Sequence, residues 1–157
     1  MQIEMLSPAD LTPYANNART HSEDQVRQIA ASIEQFGFAN PILAGDDGVI
    51  VAGHGRHAAA LVLGLEAVPV IKLSHLSEAQ RRALVIADNR IAENAGWDEA
   101  LLAREIAALV DQDFAADLMG MTQKEAARLI ASITEELDGG AVVNDPDRVP
   151  EVKAIAV

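Results

Sequence analysis

A short segment, VIVAGHGRHAAA, places two glycines, two histidines and one arginine where a strand pattern changes into a helix pattern. Free backbone N–H groups and the positive end of the helix dipole make such a turn a natural phosphate site. Gly53 and Gly55 let an anion approach the backbone, and the planar guanidinium of Arg56 can pair with two phosphate oxygens. The segment, including His54, therefore predicts an anion site. The alternative is a tight turn with a solvated arginine, and Ala58 breaks the dinucleotide fingerprint.

A second polar cluster, Asp88-Asn89-Arg90 followed by Glu93-Asn94, falls late in a predicted helix. Carboxylate and amide oxygens are ligands that Mg²⁺ accepts, and Mg²⁺ normally shares its coordination shell with the phosphates of a substrate. Asp88 and Asn89 are therefore candidate metal ligands for a nucleotide bound at the glycine-arginine turn. The alternative interpretation is a polar helix end that faces water.

Further candidates are amide and basic side chains near these motifs. In the loop Asn16-Asn17-Ala18-Arg19-Thr20, asparagines usually serve turns, whereas Arg19 can reach a phosphate. Arg19 is therefore added to the candidate phosphate site, together with Asn17 from the same loop. The candidate contacts to DNA or to a protein partner are Arg81, Arg82 and Arg90.

The remaining histidine and tryptophan positions carry weaker signals. His54 and His57 lie three residues apart, but the sequence shows no suitably spaced partner pair for a zinc site. Because an imidazole titrates near neutral pH, His54 stays a candidate general acid or base. Trp97, the only tryptophan, is expected to anchor packing.

The composition limits the class of protein. With 157 residues and a hydrophobic fraction of 50%, the chain can form one domain, or one domain with an appendage. A formal net charge of −12 argues against a nucleic-acid surface that covers the whole chain. The absence of cysteine excludes disulfides and thiol nucleophiles. The sequence shows neither a signal peptide nor an apolar run of about 18 residues, so we expect a cytoplasmic protein without a membrane partner.

The periodicity predicts a small α/β domain of the α+β class with a mixed sheet, followed by a short helical appendage. Capping signals at Ser22, Ser77 and Thr122 predict helix starts, and Gly37 predicts a helix end. Pro69 requires an edge position or a bulge in its strand. The predicted strands cover residues 2–6, 41–44, 49–52 and 68–73, and the predicted helices cover residues 22–36, 56–63, 77–92, 99–110 and 122–136.

Three regions follow from these elements. The mixed domain covers residues 1–95, the helical appendage covers residues 96–137, and a linker or tail without regular structure covers residues 138–157. We expect the chain to be the front piece of a longer protein.

Together, these motifs resemble the N-terminal domain of the ParB family. This domain has the ParB/sulfiredoxin-like fold and is also labelled ParB-like nuclease. Over roughly residues 3–95 the order matches: a polar loop with an arginine, a helix ending in Phe-Gly, NPILAGDDGVIVAGHGR, GLEAVPV and an acidic-amide cluster. The family's G-E-R-R motif falls on residues 53–56, its E-N pair on Asp88-Asn89 and its Q-P-R loop on residues 17–19.

The resemblance implies a cofactor, CTP with Mg²⁺, and a role for each matching residue. Departures at His54, Gly55 and Asn17 leave the nucleotide open between CTP and ATP. Sulfiredoxin has its catalytic cysteine at the position of His54, so sulfinic-acid repair is not expected. The implied phosphate contacts are Gly53, Gly55 and Arg56 with help from Arg19, and the implied metal or phosphate contacts are Asp88 and Asn89.

A closer resemblance is to ParB-like domains in front of phage and prophage DNA methyltransferases. The stretches THSEDQVRQIAASIEQFGFANPIL and IADNRIAENAGWDEALL are typical of them, and DPDRVPEV resembles the linker to their catalytic domain. The methyltransferase motifs are absent from this sequence, so the chain does not methylate DNA by itself. Residues 98–136 are short acidic helices and are expected to make a poor DNA-reading module.

Three functions remain open at this point. The favoured one is a Mg-nucleotide module, with slow triphosphatase activity as an option, that regulates a DNA-modifying partner. The sequence leaves its oligomeric state open, and the resemblance adds a homodimer as an option because ParB-type domains often dimerise on binding nucleotide. The second is a metal-dependent nuclease that uses Asp88, Glu93 and His54. The third is a non-catalytic interaction domain that uses residues 16–20 with Arg81 and Arg82.

Overall fold

The computed structural model describes residues 1–139, with burial assigned through residue 134, so the predicted tail lies almost wholly outside the described residues. The four strands are β1 (Ile3–Leu6), β2 (Ile42–Ala44), β3 (Ile50–Ala52) and β4 (Val68–Lys72). The five helices are α1 (Glu23–Phe36), α2 (His54–Val62), α3 (Glu78–Glu93), α4 (Glu99–Val110) and α5 (Gln123–Gly139). Short 3-10 turns lie at Pro8–Asp10 and Ala116–Met119. This architecture confirms the predicted α+β class with a mixed sheet.

The four strands form one sheet in the order β1-β4-β2-β3. β1 pairs with β4 and β2 pairs with β3 in antiparallel fashion, whereas β2 and β4 run parallel. β4 is therefore an inner strand, but Pro69 lies near its start, where only one side of the strand is paired, which meets the requirement for a local edge position. The parallel register with β2 begins only at Val70, so Pro69 has a partner on the β1 side alone, at Met5.

Successive side chains of the strands point to opposite faces of the sheet, and both faces are buried because helices cover them. Ile42, Ile50, Val68 and Val70 are fully buried on the face that packs against Ala60 of α2. Burying each such side chain contributes roughly 1.5–3 kcal/mol. The opposite face packs on α3 through Val51, Leu73 and Val85.

The helices after α3 have a small core of their own, built on Ile106, Ala116 and Ala126. The 3-10 turn Ala116–Met119 packs against α1, which connects this helical part to the first part of the chain. Within the described residues, no helix combines the length and the apolar character needed to cross a membrane.

Two local expectations are corrected by the structure. α2 begins at His54, two residues earlier than predicted, because Gly53 turns the chain within a single residue after β3. Trp97 is 77% exposed, so its predicted role as a packing anchor is wrong. His57 is buried on α2, and its Nε2 lies 2.9 Å from the carbonyl oxygen of Pro8, so it joins α2 to the 3-10 turn Pro8–Asp10.

Candidate functional site

A single residue, Gly53, separates the N-terminus of α2 from the buried end of β3. Gly53 is the N-cap residue, with φ of 98° and ψ of 24°, a left-handed backbone that favours glycine. The first intrahelical bond runs from the N–H of His57 to the Gly53 carbonyl, 2.9 Å away. By helix geometry, the N–H groups of His54, Gly55 and Arg56 precede that bond and have no intrahelical acceptor. They are therefore the donors that this helix end can offer to an anion.

Arg56 folds back over the same helix end. A Cβ atom on Gly53 would lie 3.0 Å from Nη2 of Arg56 and 3.3 Å from its Nε, so the absence of a side chain at Gly53 makes room for the guanidinium. Nη2 donates to the carbonyl oxygen of Pro41 at 3.2 Å. Nε is buried, and among the described residues it has no acceptor.

Burial lowers the pKa of Arg56, and the carboxylate of Asp88 opposes that shift. An arginine nevertheless stays protonated in proteins. A desolvated cation with an unsatisfied N–H carries a free-energy cost that a bound anion would offset.

Gly55 is required for packing as well as for access. A Cβ atom there would lie 2.7 Å from Cδ1 of Ile29 and 3.1 Å from Cε1 of His21, both of which approach from the α1 side. The glycine therefore lets α2 lie close to α1.

His54 has a structural partner. Its Nε2 accepts a hydrogen bond of 3.2 Å from the backbone N–H of Tyr14. Burial lowers the pKa of His54, and the nearby His21 and His57 lower it further. The imidazole is therefore held neutral with one nitrogen committed, which favours a positioning role over the predicted acid or base role.

A cleft of about 750 Å³ lies in front of the α2 N-terminus. Its volume falls within the range of small-molecule sites. All the sequence-predicted phosphate and metal residues line it, namely Asn17, Arg19, Gly53, His54, Gly55, Arg56, Asp88 and Asn89. Three motifs far apart in the sequence thus meet in one place.

The cleft also has walls that the sequence analysis missed. The apolar stripe of α1, including Ile29, Ile33 and Phe36, lines it, as do residues 37–40 and residues 117–120. The apolar pattern of this stripe predicted only that it is buried, because the same pattern is found in a closed core and in the wall of a cleft. The segment at residues 117–120 carried no signal at all.

The loop before α1 holds Arg19 at the rim of the cleft. The Asn17 side chain accepts from the N–H of Arg19 at 3.2 Å and donates to the Arg19 carbonyl at 3.1 Å. Asn17 therefore acts as a turn residue that fixes Arg19. The guanidinium of Arg19 forms an ion pair with the carboxylate of Glu93.

The acidic-amide pair on α3 is suited to a hard cation. Asn89 donates from Nδ2 to the carbonyl oxygen of Val85 at 2.8 Å, which leaves its amide oxygen as the remaining acceptor. Asp88 is exposed at the same cleft. Within residues 1–134, no group of three histidine, aspartate or glutamate side chains comes together as a metal site.

The three predicted contact arginines have different environments. Arg81 pairs with Asp47 at 3.0 Å and lies over Gly45, where a Cβ atom would meet its Nη1 at 1.6 Å. It therefore clips α3 to the β2–β3 turn. Arg82 is exposed and lies with Arg90 around a cavity of about 360 Å³.

Family models match both parts of the chain. The ParB N-terminal domain model matches residues 1–90. A model described as the ParB-methyltransferase HTH domain matches residues 100–157. This second match counts against the expectation that the acidic helices make a poor DNA-reading module.

Individual relatives agree with these matches. The ParB-like nuclease domain-containing protein YnaK of Escherichia coli K12 is 53% identical over 73 residues, which are 46% of this chain and 84% of YnaK. The chromosome-partitioning protein Spo0J of Thermus thermophilus is 32% identical over 132 residues. That match covers 82% of this chain but 45% of Spo0J, so the chain spans less than half of that relative.

A solved structure shows the same fold. The C-terminally truncated chromosome-partitioning protein ParB from Caulobacter crescentus, complexed with CTP-gamma-S, superimposes with a TM-score of 0.70 at 21% identity. The alignment covers 85% of this chain and 79% of that chain.

Proposed function

The chain belongs to the ParB N-terminal domain family, and we propose that its cleft binds a nucleoside triphosphate with Mg²⁺ and thereby regulates an association with DNA. One observation carries the proposal: the loop of Arg19, the α2 N-terminus and the Asp88-Asn89 pair line a single cleft around the desolvated Arg56. Free N–H donors and two arginines suit phosphates, and the oxygens of the acidic-amide pair suit the Mg²⁺ that accompanies them.

CTP is the first nucleotide to test. The structural neighbour of the same fold is complexed with CTP-gamma-S, which supports a cytidine nucleotide here as well. ATP stays the alternative because His54, Gly55 and Asn17 depart from the family pattern. The match to a ParB-methyltransferase HTH domain supports a place beside a DNA methyltransferase.

Calorimetric titration of CTP, ATP, GTP and UTP with Mg²⁺ tests the proposal. We expect at least one nucleotide to bind the parent chain. Arg56→Ala removes a desolvated, charged donor, so its affinity should fall roughly ten- to a hundredfold. Arg27→Ala is the matched control, because Arg27 is exposed on α1, pairs with Asp24 and lies outside the cleft. If no nucleotide binds the parent at millimolar concentration, the proposal is wrong.

DNA binding is a second function, favoured by the match at residues 100–157. Arg82 and Arg90 offer a local basic surface on a chain of net charge −12. A gel shift at low salt, where phosphate contacts are strongest, is the appropriate test. Arg82→Glu should weaken the shift if α3 contacts DNA, whereas an unchanged shift would leave the helices after α3 as the contact. Absence of any shift by the parent chain would remove DNA binding.

A metal-dependent nuclease has less support. Glu93 is paired with Arg19 and Arg90, and Nε2 of His54 accepts from the backbone of Tyr14. Two of the three residues that the nuclease hypothesis requires therefore already have structural partners.

A further inference from the structure

Glu93 forms a bridge between two arginines at the rim of the cleft. One carboxylate oxygen pairs with Nη1 of Arg19, and the other lies 2.8 Å from Nη1 of Arg90. Arg90 precedes Glu93 by less than one turn of α3, whereas Arg19 comes from the loop before α1. The carboxylate therefore joins two parts of the chain that are far apart in sequence.

This bridge stands where two cavities meet. Asn17, Arg19 and Asn89 line both the cleft of about 750 Å³ and the neighbouring cavity of about 360 Å³. Among the described residues, the smaller cavity is lined by Arg19, Arg82 and Arg90 against a single carboxylate, that of Glu93. The charged side chains that line the smaller cavity therefore add up to a positive charge, although the whole chain has a net charge of −12. Glu93 is the internal anion of a site that otherwise offers three guanidinium groups.

From this geometry we infer that Glu93 is a built-in competitor for the phosphate groups of the ligand. The inference rests on the proposed nucleotide function. A carboxylate and a phosphate use the same guanidinium donors, so Arg19 cannot serve both fully at once. The pair is partly exposed, at 38% for Arg19 and 42% for Glu93, which makes it weak and easy to exchange. A triphosphate carries more charge and displaces the carboxylate from Arg19.

Arg90 has a defined part in this exchange. It is 69% exposed and lies outside the larger cleft, so it can keep Glu93 when Arg19 turns to the phosphate. Without Arg90, the carboxylate would have only Arg19 as a partner. Glu93 therefore sets how much ligand is needed to occupy the site, and Arg90 reduces that amount.

The test is a titration of CTP with Mg²⁺, and separately of inorganic tripolyphosphate, into the parent, Glu93→Gln, Arg90→Ala and Glu23→Gln. Glu23 is exposed on α1 and lies 3.9 Å from Arg27, away from the cleft. Its substitution changes the net charge as Glu93→Gln does and controls for general attraction of anions. We expect Glu93→Gln to bind roughly two- to fivefold more tightly than Glu23→Gln, the size of one exposed ion pair. Arg90→Ala should bind more weakly than the parent, and circular dichroism confirms folding of each variant.

The sign of the change in affinity caused by Glu93→Gln shows whether Glu93 competes with the ligand or positions Arg19 for it. If Glu93 only orients Arg19, Glu93→Gln binds more weakly, and the inference is wrong. Equal affinity of Glu93→Gln and Glu23→Gln also overturns it. If CTP fails to bind but Glu93→Gln binds tripolyphosphate more tightly than Glu23→Gln does, the inference about Glu93 is supported and the proposed nucleotide function is wrong. If neither ligand binds any variant, both are wrong.

Discussion

Gly53 carries two constraints that can be separated by mutation. Its φ of 98° disfavours any residue with a Cβ atom, and that atom would also lie 3.0 Å from the Arg56 guanidinium. We expect Gly53→Ala to lower the free energy of unfolding by about 1–2 kcal/mol through the backbone alone. The same substitution should also weaken nucleotide binding, because Arg56 has to move. Urea denaturation and calorimetric titration measure the two effects.

Gly64 provides the matched control for this prediction. It has a φ of 64°, and no atom of the described residues lies within 4 Å of an added Cβ atom. Gly64→Ala should therefore show a similar loss of stability with unchanged nucleotide binding. Equal binding by both variants would mean that the position of Arg56 does not matter to the ligand.

Residue types predicted the polar side chains at the centre of the cleft, but neither its other walls nor what each polar side chain does there. A guanidinium next to glycines at a helix start signals an anion site through local chemistry. The partners of Asn17 and His54 depend on backbone atoms and loops whose positions the sequence does not reveal. The same holds for Glu93, since its bridge to Arg19 spans 74 positions in the chain.

Helix starts that carry a capping side chain were predictable because capping is a local interaction, whereas α2 has no side-chain cap and its start was predicted too late. Ser77 and Gln80 form the full reciprocal capping box at the start of α3. At the start of α1, Ser22 accepts from the N–H of Gln25 as expected, but the Gln25 side chain lies 3.0 Å from Nδ1 of His21 instead. That exchange of partners brings His21 to the cleft wall, beside Gly55.

The arrangement of elements was less accessible to sequence reasoning. Strand positions follow from apolar alternation, yet the order β1-β4-β2-β3 depends on pairings between distant segments. The apolar face of α1 shows the same limit. Ala30 is buried against the fold, whereas Phe36 is 53% exposed at the cleft. One amphipathic stripe thus supplies both core and site.

At the scale of the whole molecule, the cleft joins two parts with separate cores. The first core surrounds the sheet, and the second is built on Ile106, Ala116 and Ala126. Residues 117–120 belong to the second part but line the cleft in front of the first. Ligand bound there would contact both, and occupancy of the cleft would then be energetically linked to the position of the later helices.

Hydrogen exchange tests this linkage directly. Since ligand binding stabilises the segments it contacts, CTP with Mg²⁺ should slow amide exchange at the start of α2 and also at residues 116–120. The C-terminal half of α4, which does not line the cleft, serves as the internal reference. Arg56→Ala at the same nucleotide concentration should show smaller changes at both segments. Protection confined to the first 95 residues would mean that the helical part forms a wall of the cleft without taking part in binding, and its coupling to the nucleotide would then be ruled out.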